Sequence, residues 1–119
     1  MKKVFVLERD KDIFDILSIV LTEEGYAIER ADSIDHLDQL LSLSTPDAVL
    51  LDILSPFHRE AEFCRRLKAG DGTKDLPIIV LTTNNLATDA LSVVCADSVL
   101  SKPFDLVDLI SIVHQHLPA

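Results

Sequence analysis

Pro46-Asp47-Ala48-Val49-Leu50-Leu51-Asp52-Ile53 is the stretch that decides how this chain folds. Ala48 to Leu51 is unbroken apolar sequence, the pattern of a strand in a parallel sheet covered by helices on both faces. The run ends on a carboxylate. A charged residue closing such a strand sits where the sheet meets solvent, which in open α/β folds is the mouth of the binding crevice. Two later runs end in the same manner: Pro77-Ile78-Ile79-Val80-Leu81 on the hydroxyl of Thr82, and Ser98-Val99-Leu100-Ser101 on Lys102-Pro103. The first strand, Val4 to Leu7, is closed by Glu8-Arg9-Asp10.

Outward from these runs, strand-like and helix-like patterns alternate. Ile13, Ile16, Leu17, Val20 and Leu21 recur with the period of an amphipathic helix, which Gly25 ends. Tyr26 to Arg30 alternates as a short strand. Ser33 caps a second helix carrying Ile34, Leu37, Leu40 and Leu41, and Thr45-Pro46 breaks the chain before the Asp52 strand. A third helix is expected from about Glu60 to Ala69, stopping at Gly70, and a fourth from about Leu86 to Val94. A fifth strand covers Asp97 to Leu100. Asp105 caps a last helix with Leu106, Leu109, Ile110, Val113 and Leu117 on one face. The expected architecture is a (βα)5, doubly wound, five-stranded parallel sheet of the flavodoxin-like or CheY-like α/β class. Right-handed crossovers place the strand C-termini together at one edge.

The 119 residues suit one domain, and neither a linker nor an output domain is expected within 1–119. A net charge of -9 argues against a nucleic-acid backbone as the main partner, and none is expected, since phosphate binding needs clustered Lys and Arg. The one basic cluster, Arg65, Arg66 and Lys68, is flanked by acids. The acidity suits cations and basic protein partners instead. Only Val4 to Leu7 follow Met1-Lys2-Lys3 before charges resume, too little for a secretory signal, and no run approaches a membrane span. With Cys64 and Cys95 read as reduced thiols, a cytoplasmic protein is expected.

A carboxylate at the central strand end, a hydroxyl and an ammonium at neighbouring strand ends form a phosphoryl-handling set. Asp52 is placed to act as nucleophile toward phosphorus, giving an acyl phosphate. Thr82 can donate a hydrogen bond to one phosphoryl oxygen, and Lys102 can neutralise another. Carboxylates after the first strand can hold a Mg2+ that screens the phosphate.

Over its whole length the chain resembles the receiver domain of two-component response regulators. Pro46 to Ile53 with the following Pro56 is similar to the family's phosphoacceptor segment. Leu81-Thr82-Thr83 is similar to its switch hydroxyl, and Ser101-Lys102-Pro103-Phe104 to its lysine motif, whose Lys-Pro bond is typically cis. The resemblance implies phosphorylation of Asp52 by a histidine kinase or histidine phosphotransfer protein. It implies no enzymatic activity beyond self-catalysed phosphotransfer to Asp52 and hydrolysis from it. It further implies output through a downstream protein docked on the fourth helix, fifth strand and last helix, and Mg2+ held by Glu8 and Asp52.

Several positions depart from the family pattern. Receivers carry two adjacent acids after the first strand; Glu8 matches the first, and Arg9 stands at the second. A positive charge about 4 Å from a cation costs on the order of 4 kcal/mol per unit charge at an effective dielectric of about 20, and a divalent ion doubles this. Asp10 is the candidate replacement ligand. Alternatively, Arg9 pairs with Asp52 as a fixed counter-ion, which makes the chain a phosphorylation-independent pseudo-receiver. Phe57-His58-Arg59-Glu60 lacks the family's glycines, an arrangement expected to reshape this edge and bring Arg59 toward the site. Val99 stands where many receivers have a switching aromatic, and Thr83 is bulkier than the usual small residue.

Other classes fit less well. A haloacid-dehalogenase-like phosphatase needs a second Asp two residues after the nucleophile, where this chain has Leu54. A flavodoxin-like cofactor binder needs a Ser/Thr/Gly-rich loop after the first strand, and Glu8-Arg9-Asp10-Lys11 would repel or crowd a phosphate. His114 and His116 are two apart on a helix and point apart, and His36 and His58 have no partner in sequence. Ile112 and Val99 are surplus apolar residues, candidates for an interface such as a homodimer.

Overall fold

A computed structural model describes residues 1–53, 59–82 and 96–117. The strands are β1 (Lys3–Leu7), β2 (Ala27–Ala31), β3 (Ala48–Asp52), β4 (Ile78–Thr82) and β5 (Ser98–Ser101). The helices are α1 (Lys11–Glu23), α2 (Ile34–Leu43), α3 (Arg59–Ala69) and α4 (Leu106–His116). All strands pair in parallel, in the order β2-β1-β3-β4-β5. This is the doubly wound α/β sheet expected from the sequence. The helix expected over 86–94 lies outside the described residues.

Strand alternation sorts the core into two layers. Phe5, Leu7, Val49, Leu51, Ile78 and Val80 point to one face and pack with Leu37 of α2 and with Phe63, Cys64 and Leu67 of α3. Val4, Val6, Leu50, Ile79 and Leu81 point to the other, against Leu17 and Leu21 of α1 and Leu109 and Val113 of α4. Each central strand is therefore apolar throughout because both of its faces are covered. β3 and β4 are buried along their full length.

Local signals set the element ends. Asp10 caps α1 by accepting from the backbone N–H groups of Asp12 (2.9 Å) and Ile13 (3.2 Å). Ser33 caps α2 through the N–H of His36 (3.1 Å). Gly25 takes a φ of 95° just past α1, a conformation a Cβ would strain. Asp105 precedes α4 as expected, but its side chain makes no capping bond.

The packing corrects two expectations. Ile16 is 49% exposed, because the buried stripe of α1 centres on Leu17 and Leu21 and leaves Ile16 on its shoulder. Leu106, in the first turn of α4, is likewise exposed, while Leu109 and Val113 carry the contact. Ile112 and Val99, the surplus apolar residues, are partly buried against the two core layers and keep part of their surface exposed. No helix among the described residues is long and apolar enough to cross a membrane.

Leu51 is fully buried between β1 and β4, one residue before the strand end. Leu51→Ala is expected to lower unfolding free energy by about 2–5 kcal/mol in urea denaturation, through lost burial and a residual cavity.

Candidate functional site

The register of the sheet assembles the site. Leu7 pairs with Leu51, so Glu8 leaves β1 level with Asp52 at the end of β3. Asp52 pairs with Leu81, and Thr82 with Ser101, so Thr82 and Lys102 fall at the same edge. The backbone N–H of Lys102 donates to the Thr82 carbonyl at 2.7 Å, and that of Ile53 to the Leu81 carbonyl at 2.9 Å. The Lys102-Pro103 peptide bond is cis. β1 and β3 are neighbours from which the chain winds in opposite directions, so the topological switch point of the sheet, where open α/β folds place their crevice, lies between them.

Glu8, Asp52 and Thr82 are all buried at this edge. Lys102 Nζ pairs with Glu8 Oε1 and lies 3.3 Å from Asp52 Oδ1. The other Asp52 oxygen, Oδ2, is 3.1 Å from Arg9 Nη1, which also donates to the Asp52 carbonyl oxygen at 3.3 Å. Arg9 Nη2 pairs with Glu60, in the first turn of α3. The result is a continuous ladder of alternating charge: Glu8, Lys102, Asp52, Arg9, Glu60. Each buried carboxylate has a cation beside it, which offsets the cost of taking its charge out of water.

Arg9 is aimed inward because the turn carrying it is fastened from three sides. Its own N–H donates to Glu8 Oε2 at 3.1 Å. Asp10, the next residue, is held as the α1 cap. Arg30 Nη2 of β2 donates to the Glu8 carbonyl at 3.0 Å and to the Arg9 carbonyl at 3.4 Å. The Arg30 guanidinium in turn lies over the Phe14 ring at 5.1 Å.

Burial, more than anything else, pushes the Glu8 carboxyl above its usual range, and the nearby Asp52 charge adds to this while Lys102 pulls the other way. Tyr26, buried against the end of α4, is raised by burial and by Glu24.

Of the residues expected to form the site, Glu8, Asp52, Thr82 and Lys102 gather at the sheet edge, and Arg9 is in contact with Asp52. Asp10, the replacement ligand, is not among them, because its carboxylate is committed to the α1 N-terminus. Arg59 lines a surface cavity together with Arg9 and Glu60, and its guanidinium pairs there with Asp35 at 3.3 Å. His114 and His116 turn to different partners, Glu24 and Ser98. His36 meets Asp32 at 3.1 Å. His58, Thr83, Pro56 and Cys95 lie outside the described residues.

Sequence reasoning passed over two contributors, Glu60 and Arg30. Glu60 had a visible signal: with Phe63, Cys64 and Leu67 it completes an i, i+3, i+4, i+7 stripe, a carboxylate on the buried face of α3. Arg30 had none, since an exposed-looking arginine on an edge strand has no distinguishing pattern.

These residues do not fit a Mg2+ site of the usual receiver kind. Glu8 and Asp52 are each engaged by a cationic side chain, and Asp10 is turned onto its helix. Arg9 brings a permanent positive charge to the Asp52 oxygen that a metal would need. Among the described residues, no group of three or more His, Cys, Asp or Glu side chains is arranged to hold a metal ion.

The family model for the response regulator receiver domain matches residues 4–114. The response regulator MprA of Mycobacterium sp. (strain KMS) is 35% identical over 113 residues, spanning 92% of this chain and 47% of the relative. MprA of Mycobacterium avium (strain 104) is 34% identical over 113 residues, 92% of this chain and 48% of its own length. The chain thus spans about half the length of the curated relatives it matches. Among solved structures, the signal receiver domain of a signal transduction histidine kinase from Syntrophus aciditrophicus superposes with a TM-score of 0.87 at 28% identity, covering 98% of this chain and 90% of that one. The response regulator TrrA from Thermotoga maritima, in complex with Mg2+-BeF, superposes with a TM-score of 0.85 at 28% identity, covering 98% and 99%.

Glu8 supplies a test of the charge ladder through pH. Its proton is held more tightly in the folded chain than in the unfolded one, so its contribution to stability falls as pH rises from the ordinary glutamate range through the folded value, and stays reduced above it. Urea denaturation between about pH 4 and about pH 7 is expected to show the stability of the wild type falling relative to Glu8→Gln, which has no carboxyl to titrate there. A gap between the two proteins that does not change with pH would contradict the raised Glu8 value.

Proposed function

Because the chain belongs to the response regulator receiver domain family, we propose that it receives a phosphoryl group on Asp52 and signals through protein contacts. The observation that carries this reading is the convergence of Asp52, Thr82 and Lys102 at one buried edge, each from the end of its own strand. Asp52 is the nucleophile, the Thr82 hydroxyl donates to a phosphoryl oxygen, and Lys102 neutralises charge on another. The donor is a phosphohistidine on a histidine kinase or histidine phosphotransfer protein. The chemistry at Asp52 is limited to self-catalysed acquisition and hydrolysis of the phosphoryl group. A downstream protein reads the result on the surface that includes β5 and α4. The reading carries with it a cytoplasmic location, where such donors act.

A second reading is favoured by one specific contact. Arg9 at 3.1 Å from Asp52 is a built-in counter-ion that gives the crevice a partner for its carboxylate without any phosphoryl group. On that reading the chain is a pseudo-receiver that engages its partner in one standing conformation.

Intact mass after incubation with acetyl phosphate and Mg2+ separates the two. The first reading predicts an adduct of about 80 Da that is absent in Asp52→Asn. A wild type that stays unmodified, with a partner affinity equal to that of Asp52→Asn, supports the pseudo-receiver.

A further inference from the structure

The Arg9 guanidinium has a defined place and a defined anchor. Nη1 faces Asp52 Oδ2 at 3.1 Å and the Asp52 carbonyl oxygen at 3.3 Å, while Nη2 is held by the buried carboxylate of Glu60. Lys102 occupies the opposite side of Asp52, at Oδ1. The phosphoacceptor carboxylate is thus flanked by two fixed cations, where the receivers this chain resembles use one lysine and a metal. A guanidinium keeps its proton at any ordinary pH and presents a planar fork of donors suited to phosphoryl oxygens. Its long side chain needs an external hold to stay in place, and Glu60 provides one from a different element, the first turn of α3.

We propose that Arg9, positioned by Glu60, takes the place of the divalent cation, so that phosphoryl transfer to Asp52 proceeds without metal. The proposal rests on the reading of Asp52 as phosphoacceptor. With an acyl phosphate as donor, a lone pair of an Asp52 carboxylate oxygen forms the new O–P bond. The bond between phosphorus and the acyl oxygen breaks, and the carboxylate leaves with that electron pair. No proton moves: Arg9 and Lys102 stay charged and take up the added negative charge of the phosphoryl oxygens. Glu60 is a positioning residue, since it reaches Asp52 only through Arg9.

The test follows labelling by acetyl phosphate, read as intact mass over time, in Mg2+ and in excess EDTA. Wild type is expected to label at rates within about twofold in the two conditions, and Asp52→Asn in neither. In Glu60→Gln the EDTA rate is expected to fall at least about tenfold while Mg2+ restores part of it, because a released Arg9 leaves the carboxylates open to metal. A merely structural role for Glu60 would lower both rates together. Arg9→Asp is expected to label only with Mg2+. Mn2+ titration followed by water-proton relaxation gives a readout independent of labelling and of whether Glu60→Gln folds. Wild type should show no saturable site, and Arg9→Asp should gain one that Arg9→Asp with Asp52→Asn lacks. Wild-type labelling that needs Mg2+, or a wild-type Mn2+ site abolished by Asp52→Asn, overturns the proposal and leaves Asp52 as acceptor. No wild-type label in either condition overturns both.

Discussion

The carboxylate of Asp52, buried at the end of the central strand, is the constraint to which the rest of this edge answers. An ionised carboxylate removed from water is costly, and the cost is met only when cations with good geometry lie against it. Here Lys102 takes one oxygen and Arg9 the other. Each of those cations needs a further partner to stay in place, and Glu8 and Glu60 supply them. Five side chains from the turn after β1, from β3, from α3 and from the segment after β5 are thereby tied into one unit. Removing any member leaves a buried charge facing a gap, so the residues are expected to act together rather than as independent contacts.

The scaffold makes that unit possible. β3 and β4 are buried on both faces, and their rigidity carries Asp52 and Thr82 to fixed positions at the crevice. The turn after β1 is more elaborate. Asp10 ends its freedom by capping α1, and Arg30 holds two consecutive carbonyls from the neighbouring strand. A residue between two such restraints has its side chain direction largely decided by the backbone. For that reason, an arginine that could have extended into solvent faces Asp52 instead. The same cap that orients Arg9 also withdraws Asp10 from the crevice, so one local interaction both supplies the cation and removes a metal ligand.

Much of this was legible before any coordinates. The alternation of apolar runs and amphipathic stretches, the Ser33 position and Gly25 specify a parallel α/β sheet, because those signals are local and each corresponds to one backbone choice. Asp52, Thr82 and Lys102 were legible because each terminates its own strand, and parallel strands bring their C-terminal ends to the same edge. Ile16 and Leu106 were misplaced because a helical period identifies a stripe without stating how wide a strip its neighbours cover. The pairing of Arg9 with Glu60 was beyond local reading. The two residues lie 51 positions apart (60 minus 9), on elements whose approach depends on how α3 sits against β1.

The amino-acid sequence alone determined the layer architecture, the strand ends that carry chemistry and the presence of a positive charge where a receiver has an acid. Those properties follow from periodicity and position along the chain. Only the tertiary structure decided where that charge goes, what anchors it and which carboxylate it meets. A side chain as long as arginine has several reachable partners, and the choice among them is made by three-dimensional burial and by the carboxylates that burial leaves in need of a cation.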